Sequence, residues 1–444
     1  MKMSSDQKLL APWAEEIPQG WKVLRIDYMA DVLFSHVDKH AFEEEISVRL
    51  CNYVDVYKNE KITHKIDFME ASADQHEINR FQIHRGDVLL TKDSEAPDDI
   101  AIAALVDEEL PGVVCGYHLA LIRSRMANLK GAFLAWVHKS KAFRAQYEAQ
   151  ALGVTRFGLS QYAFRSARIP LPPQYEQEQI STYLDKQCAV IDKTIEIKKE
   201  QLKILEELRK SIIYKAVTKG LDDNVELKNS GIEWIGKLPA GWKLDRIKDV
   251  AEIITGNTPP KDDPDNYEDG IVLWIKPNQL RGNIVNDSEE KLSEKGAGLA
   301  RVIPKEAILV GCIGDVGNFA VAGCRLTTNQ QINSLIFNKR VHKPLAKYLI
   351  EITRDEHKKN ATLVVVPILN KGRQGQICLV LPPINEQIRI QKYLDKKIDA
   401  IELVRDNIQQ QMDVLVSYRA SLIHECVTGK RRITDQDLKE RINV

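Results

Sequence analysis

The feature that most constrains the fold of this chain is an internal repeat. The segment Trp13-Ala-Glu-Glu-Ile-Pro-Gln-Gly-Trp21 recurs as Trp234-Ile-Gly-Lys-Leu-Pro-Ala-Gly-Trp242, an offset of 221. The segment 171–186, Leu-Pro-Pro-x-x-Glu-Gln-x-x-Ile-x-x-Tyr-Leu-Asp-Lys, recurs at 381–396, an offset of 210. Ten of the twenty positions in 169–188 equal their counterparts in 379–398. Between these anchors no convincing match is found, so the chain is a duplicated unit whose ends agree and whose middles diverge.

The length of the repeat excludes a solenoid, because solenoid units run to about 20–50 residues. A duplicated two-part unit favours a pseudo-twofold arrangement, which suits duplex DNA because DNA has local twofold symmetry. Divergent middles would then allow the two halves to recognise different sequences.

Each Leu-Pro-Pro segment leads into a predicted long helix. Paired prolines block helix upstream, and Glu176 and Glu386 fall in the first turn, where a carboxylate suits the positive helix end. Gly220 and Gly429 are the residue type that usually ends a helix. Apolar residues then follow a heptad, which favours a coiled coil. The apolar seam consists of Leu184, Ile191, Ile195, Leu202, Leu205 and Ile212 in the first helix, and of Leu394, Ile398, Ile401, Ile408, Met412, Leu415 and Leu422 in the second.

The two helices are expected to pair with each other, since neither can bury its stripe alone. Antiparallel pairing is favoured, because it places the two diverged middles at opposite ends of a rod about 60 Å long. Such a rod would act as a ruler between two DNA contact sites.

The diverged middles predict compact, mostly β domains. Strand-like runs occur at 49–57, 85–90, 100–106 and 119–122 before a helix at about 129–148, and again at 271–275, 307–310 and 332–337. The predicted segments are an N-terminal segment (1–21), a first variable domain (22–172), a first long helix (173–220), a linker (221–242), a second variable domain (243–382), a second long helix (383–429) and a C-terminal tail (430–444). The fold class is therefore α/β (α+β).

Polar loops of both variable domains carry residue types suited to DNA. Asn and Gln can pair with adenine, Arg or Lys with guanine, and mobile cations with phosphates. The candidates in the first domain are Lys58, Lys92, Arg123, Arg125 and Arg156, and those in the second are Lys276, Asn278, Gln279, Arg281, Asn329, Gln330, Lys371 and Arg373.

Charge restricts how DNA is bound, because 63 Lys and Arg balance 63 Asp and Glu. A non-specific DNA coater is usually basic, so binding must use local patches. No apolar run is long enough for a membrane span and the N-terminus lacks a signal core, which predicts a cytoplasmic protein without a membrane partner. Seven scattered cysteines indicate neither a zinc site nor a disulfide framework.

Three near-motifs fail at identifiable residues. Gly231–Lys237 has the spacing of a phosphate-binding loop, but Leu238 follows where Ser or Thr is required. Pro264-Asp265 and Glu289–Lys291 carry the letters of a nuclease site, yet Glu289 lies in a solvated-looking stretch. Asn257–Pro260 has Thr258 in the wrong place for an adenine methyltransferase motif. The sequence therefore predicts no catalytic residue and no metal site.

The whole chain resembles the specificity subunits of type I restriction–modification systems. The resemblance rests on Ile17–Trp21, Leu238–Trp242 and both Leu-Pro-Pro helices, and Thr255–Pro259, Trp274-Ile275 and Thr328–Gln330 are similar to segments of that family's target recognition domains. The first domain departs from this second pattern, with Asn52–Tyr57 and Gly86–Leu90 instead.

This resemblance implies a non-catalytic subunit that directs the complex's nuclease and adenine-N6 methyltransferase. Each variable domain would read one half of a split, asymmetric target in double-stranded DNA, and the helices would fix the unread spacer. Two modification subunits would dock on the helices, and restriction/translocase subunits would join them. No cofactor is expected in this chain; S-adenosylmethionine, ATP and Mg²⁺ are expected on the partners.

Two alternatives remain open on sequence grounds. One is a duplicated nuclease or methyltransferase with unrecognised sites, which would cut or methylate DNA by itself. The other is a coiled-coil scaffold that binds DNA without sequence preference, and it would show equal affinity for all duplexes.

Overall fold

The computed structural model describes residues 13, 17–363 and 365–439. Most of the predicted N-terminal segment (1–12 and 14–16) and the end of the predicted tail (440–444) therefore lie outside the described residues. The chain forms two compact units, one made of Met1–Lys198 with Gln409–Val444 and the other of Lys199–Ile408. Each unit thus contains one variable domain and one half of each long helix.

The first variable domain is built around two sheets. Its elements and the helix that follows are β1 (Lys22–Arg25), β2 (Ala30–Phe34), β3 (Ile46–Cys51), α1 (Tyr53–Lys58), β4 (Lys61–Ile62), β5 (Met69–Ala73), α2 (Gln75–Phe81), β6 (Val88–Thr91), β7 (Asp93–Ser94), β8 (Ala103–Val106), β9 (Val113–Cys115), β10 (Leu119–Ser124), α3 (Gly131–Lys139), α4 (Lys141–Glu148), β11 (Phe157–Gly158), α5 (Gln161–Ser166), β12 (Arg168–Leu171) and α6 (Gln174–Lys219). The main sheet has the order β2-β10-β6-β8-β4 and the second β5-β3-β9.

Strand β6 explains why these runs are almost wholly apolar. Successive side chains of a strand point to opposite faces of its sheet. Val88 and Leu90 belong to the core that also contains the helices, whereas Leu89 belongs to the core shared with the second sheet. Because both faces are covered, all four residues of β6 are buried.

The second unit carries the other variable domain. Its elements, with those that follow it in the chain, are β13 (Leu227–Asn229), β14 (Lys237–Pro239), β15 (Lys243–Arg246), α7 (Ile247–Val250), β16 (Ala251–Thr255), β17 (Val272–Ile275), β18 (Ile284–Val285), β19 (Lys291–Leu292), α8 (Glu294–Leu299), β20 (Val302–Ile303), β21 (Ile308–Gly311), β22 (Phe319–Ala322), β23 (Leu326–Thr328), β24 (Ile332–Phe337), α9 (Lys343–Ile352), α10 (Arg354–Lys359), β25 (Thr362–Leu363), β26 (Pro367–Ile368), α11 (Lys371–Gln374), β27 (Cys378–Leu381), α12 (Ile384–Thr428) and α13 (Asp435–Lys439).

The two variable domains share a common strand topology despite their different sequences, and the second domain has one additional strand, β20, paired with β23. The order β16-β24-β21-β22-β18 repeats that of the main sheet of the first domain, and in each case only the last, two-residue strand is parallel to its neighbour. In the second sheets, β3 pairs antiparallel with β5 and parallel with β9, as β17 does with β19 and β23. The repeat therefore extends through the middles, where sequence comparison finds no match.

Most predicted strands are present, but one run is wrong over half its length. The run 49–57 ends as a strand at Cys51 and continues as helix α1. Asn52 and Asp55 form a capping box, in which the backbone N–H of Asn52 donates to the Asp55 carboxylate at 2.7 Å. Tyr53 and Tyr57 then stack one turn apart, with ring centroids 5.5 Å apart. The second half of the predicted strand is therefore a short helix.

The two long helices, α6 and α12, pair antiparallel. In the first unit, Leu184 and Ile191 near the start of α6 share a core with Leu422 near the end of α12. In the second unit, Leu205 and Ile212 near the end of α6 pack with Leu394, Ile398 and Ile401 near the start of α12. All predicted apolar seam residues are buried or half-buried, whereas the heptad position Arg405 is exposed.

The repeated Glu of each Leu-Pro-Pro segment joins the two repeated anchors. The indole N–H of Trp21 donates to Glu176 at 3.0 Å, and that of Trp242 donates to Glu386 at 2.9 Å. These carboxylates therefore do more than face a helix end. They bind the tryptophan of each Pro-x-Gly-Trp segment to the base of a long helix.

The Gln that follows fastens the same helix start to its variable domain. The Gln177 side chain donates to the carbonyls of Pro172 and Asn128 and accepts from the Lys130 amide. In the second unit, Gln387 donates to Pro382 and Arg340 and accepts from the His342 amide. Both Gln side chains are buried, so each hydrogen-bond set is shielded from water.

The predicted linker 221–242 is folded in the structure. It contains the hairpin β13–β14, and Ile235, Leu238 and Trp242 enter the core of the second unit. The apolar residues within Gly231–Lys237 thus serve packing.

Candidate nucleic-acid interface

The second variable domain brings two of its predicted segments together. Strands β17 and β23 lie side by side and parallel, so the segments that follow them leave the sheet at the same edge. The Asn329 amide donates to the Ile275 carbonyl at 3.0 Å, which places the 329–331 turn beside the 276–281 segment. Lys276, Asn278, Gln279 and Arg281 on one side and Asn329 and Gln330 on the other therefore share one edge.

Within this edge the side chains have different roles. Asn278 and Arg281 are exposed, and the Arg281 Nε donates to the Asn278 carbonyl at 3.2 Å. Gln279 is used internally, since its side-chain oxygen accepts from Ser288. Lys276 pairs with Glu290 and lies 5.1 Å from the centroid of the Trp274 ring. Asn278 and Arg281 are thus the members most available to DNA.

The residues of the 329–331 turn also have different roles. Asn329 is buried, and its side chain bonds the side chain and the backbone amide of Gln331. Gln330 is exposed and accepts from the Thr258 hydroxyl. Asn329 shapes the turn, while Gln330 presents an amide to the surface.

Lys371 and Arg373 lie on a different element, helix α11. Both are exposed, and Arg373 donates to the Thr362 hydroxyl at 2.6 Å at the foot of hairpin β25–β26. Asn370 caps the helix by accepting from the Arg373 amide.

In the first variable domain, Arg123 and Arg125 both contact groups of their own domain, but to different extents. Arg123 makes three hydrogen bonds to Asp87, which is nearly inaccessible, and one to the Gln82 carbonyl. Arg125 pairs with Asp31 at 3.4 Å and also donates to the Asp27 carbonyl. The Arg123 guanidinium is thus largely used within the domain, whereas the Arg125 side chain is half exposed and keeps N–H groups beyond these two contacts, so its DNA contact stays a prediction.

The other three candidates in this domain remain accessible. Lys58 is exposed at the end of α1. Lys92 is half-buried against the rings of Phe34 and Tyr117, 4.9 and 4.2 Å from their centroids, and its burial lowers its pKa. Arg156 is largely exposed and its guanidinium bonds Asp93.

A cavity of about 490 Å³ occupies this part of the first domain and was not found from the sequence. It is lined by Tyr53, Tyr57, Asp93, Ser94, Glu95, Asp99, His118, Thr155 and Arg156. Strands β3 and β9 are parallel, and their carboxyl ends lead to Tyr53 and His118. The cavity therefore borders the topological counterpart of the β17–β23 edge. No local motif marks it, because its residues come from four separate segments.

The aspartate of the nuclease-like near-motif is engaged in an ion pair. Lys295 pairs with Asp265 at 3.0 Å and with Asp263 at 2.8 Å, so Asp265 is occupied by a lysine outside the nuclease pattern. Within the described part of the chain, no group of three His, Cys, Asp or Glu is suited to hold a metal. None of the described helices is long and apolar enough to cross a membrane.

The solved structures most useful for comparison share this fold. A chain from a study of complex assembly and conformational transition of the type I R-M system superposes with a TM-score of 0.74 at 17% identity, covering 94% of this chain and 99% of that one. The HsdS subunit of Thermoanaerobacter tengcongensis superposes with a TM-score of 0.53 at 19% identity, with coverages of 94% and 98%.

Sequence relatives match this chain over lengths that range from a part to nearly the whole. The type I restriction enzyme MjaX specificity subunit of Methanocaldococcus jannaschii is 22% identical over 423 residues, which are 94% of this chain and 95% of that protein. The HindI specificity subunit of Haemophilus influenzae is 33% identical over 101 residues, which are 22% of each protein. Residues 18–207 and 239–413 match the family described as the type I restriction modification DNA specificity domain. The chain therefore belongs to the family of type I restriction–modification specificity subunits.

Proposed function

We propose that each variable domain reads one half of a bipartite, asymmetric DNA target, and that the paired helices set the unread spacer. One observation carries this proposal: two domains of one topology present different side chains on equivalent edges. The β17–β23 edge offers Asn278, Arg281 and Gln330, whereas its counterpart offers tyrosines and carboxylates. Since base edges differ in their donors and acceptors, such edges select different sequences.

The spacer length can be fixed only if each variable domain is held rigidly on its long helix. The buried Gln177 and Gln387 each make three hydrogen bonds that tie a variable domain to a helix start. The second attachments are ion pairs: Arg419 bonds Asp192 and Glu60, and Arg209 bonds Glu351. These contacts oppose rotation of a domain about its helix.

The helices also present surfaces suited to partner proteins. In the first unit Ile197, Val414, Val416 and Tyr418 are 48–66% exposed, and in the second unit Ile204, Leu208, Leu403 and Val404 are 46–73% exposed. Exposed apolar side chains one helical turn apart, such as Val414 and Tyr418 or Ile204 and Leu208, share a helix face and form the kind of apolar surface that marks a protein interaction site. We assign these faces to the modification subunits, which would bring S-adenosylmethionine, while restriction subunits would bring ATP and Mg²⁺.

A domain exchange tests the proposal. Residues 22–168 are replaced by the corresponding segment of a relative with a different target, and methylated motifs in the host genome are mapped by methylation-sensitive sequencing. One half-site should change while the other half-site and the spacer are retained. A change in both halves, or in neither, would contradict the two-reader assignment. The matched control exchanges 243–380 and should alter only the opposite half.

A further inference from the structure

Both variable domains carry a hairpin at the same place in the fold. In the first domain, Leu152 and Gly158 exchange backbone hydrogen bonds of 3.1 and 2.9 Å, closing a hairpin over 152–158. In the second domain, β25 pairs with β26 in a hairpin whose described residues are 362, 363 and 365–368. We call these two segments the tip hairpins.

The tip hairpins are anchored by matching bonds. The Leu159 amide donates to the Lys92 carbonyl just after β6, and the Leu369 amide donates to the Cys312 carbonyl just after β21, both at 2.8 Å. Because Leu159 and Leu369 are thus equivalent, Arg156 and Val366 occupy the same position, three residues before the anchor.

Both tip hairpins expose apolar side chains. Leu152 is 79% and Val154 92% exposed, while Leu363 is 75% and Val365 89% exposed. Single exposed apolar residues are ordinary, but here a hairpin with exposed apolar side chains recurs at one place in two domains whose sequences do not match. An interface that covers this place in both domains accounts for the recurrence.

The Arg156 side chain is oriented by Asp93 at the base of its hairpin and is exposed. Its Nη2 donates to Asp93 Oδ1 at 2.5 Å, and His118 Nδ1 lies 2.8 Å from the other carboxylate oxygen. The Asp93 side chain is only 15% exposed, whereas that of Arg156 is 60% exposed. A guanidinium oriented by a fixed carboxylate loses less conformational freedom when it binds, and it keeps further N–H groups for a ligand.

The surroundings of Arg156 disfavour a phosphate. Asp93, Glu95 and Asp99 line the adjoining cavity, and the Tyr57 hydroxyl donates to Asp99 at 2.8 Å. Carboxylates repel a charged phosphate more strongly than the neutral edge of a base. The major-groove edge of guanine offers two acceptors that match a guanidinium.

We propose that the tip hairpins are base-reading elements and that Arg156 reads a guanine in the half-site of the first variable domain. The Val366 side chain at the equivalent position cannot donate a hydrogen bond, but it suits the methyl group of thymine. The two hairpins thus read different chemistry from one position. This inference rests on the proposed function, because it assumes that each domain reads a half-site.

The test uses the full chain and a library of DNA duplexes with a randomised central stretch, from which bound duplexes are selected and sequenced. R156A and R156K should both lower the preference for guanine at one position of one half-site by about 5- to 150-fold, the range for one bidentate base contact. R156K should fail because lysine cannot make that bidentate contact. R85A, which removes an exposed arginine before the opposite end of β6, is the matched control and should leave the motif unchanged.

D93N examines the positioning role of the carboxylate. It should weaken the guanine preference less than R156A does, and R156A combined with D93N should be no worse than R156A alone. The slope of log affinity against log salt should stay the same in R156A, because a base contact releases no phosphate counterion.

The outcomes distinguish a failure of the Arg156 assignment from a failure of the proposed function. If the wild-type chain selects no motif, the proposed function fails. If the wild type selects a bipartite motif that R156A leaves intact, or if R156K behaves as wild type while R156A loses a unit of salt slope, Arg156 is not a base reader. A change at a position other than guanine would likewise overturn the assignment.

Discussion

Gln387 provides the sharpest test of how a variable domain is fastened to its helix. Its buried side chain satisfies the His342 amide at 2.7 Å and the carbonyls of Arg340 and Pro382 at 3.0 and 2.9 Å. Q387A removes three hydrogen bonds at about 0.5–1.5 kcal/mol each and leaves their backbone partners unpaired. We therefore expect the free energy of unfolding to fall by about 2–4 kcal/mol. Q409A removes one exposed bond to Asp413 in the same helix and should cost less than about 0.5 kcal/mol.

Two measurements check this expectation. Urea unfolding gives the shift in midpoint, and hydrogen–deuterium exchange of a peptide covering 340–344 reports directly on the His342 amide. Exchange of that peptide should accelerate in Q387A and not in Q409A. If Q387A shifts the midpoint no more than Q409A and leaves exchange unchanged, the reasoning that this Gln fastens the domain is refuted.

Three further predictions concern single side chains. Burial lowers the pKa of His138 to about 4, so the native state excludes a proton that the unfolded state binds below pH 6.5. The free energy of unfolding should therefore decline by about 3 kcal/mol between pH 6.5 and 4. An NMR titration of the His138 ring resonance should show no protonation above pH 5, and H138Q should flatten the decline in urea midpoint. Burial would raise the pKa of Glu60, but Lys139 and Arg419 outweigh it and lower that pKa. R419M should cost about 0.5–1 kcal/mol near pH 7, because the Glu60 carboxylate is half exposed and solvent screens the ion pair. This difference should shrink as the pH falls through the lowered pKa of Glu60, below 4.5, and equal urea midpoints of R419M and wild type at pH 7 would contradict the ion pair. G256A places a methyl group 2.2 Å from the Asn329 carbonyl and should displace the Gln330 turn, weakening selection at the second half-site alone in the duplex-library assay, whereas G298A, which meets nothing within 4 Å, should not.

The sequence by itself determined the architecture wherever a pattern is local and periodic. Apolar residues at heptad spacing can be buried only on one face of a helix, so the register of α6 and α12 follows from residues such as Leu184 and Leu394. Two matching helices that cannot bury their stripes alone must pair, and the repeated anchors fix how many units there are. The family was recognisable for the same reason, since its signature lies in these periodic segments.

Only the tertiary structure decided which polar residues lie at the surface with hydrogen-bonding groups available to a ligand. Arg123 and Arg156 look alike in the sequence, yet Asp87 engages Arg123 inside the domain while Asp93 orients Arg156 at the surface. Tyr53 was assigned to a strand because a six-residue helix is too short to show its period. The likeness of the two variable domains was also hidden, since a β-sheet requires only an apolar side chain of suitable size at each buried position, and many sequences meet that requirement. Side-chain partners that are distant in sequence depend on this packing, and for that reason the contacts of the readers could not be obtained from local patterns.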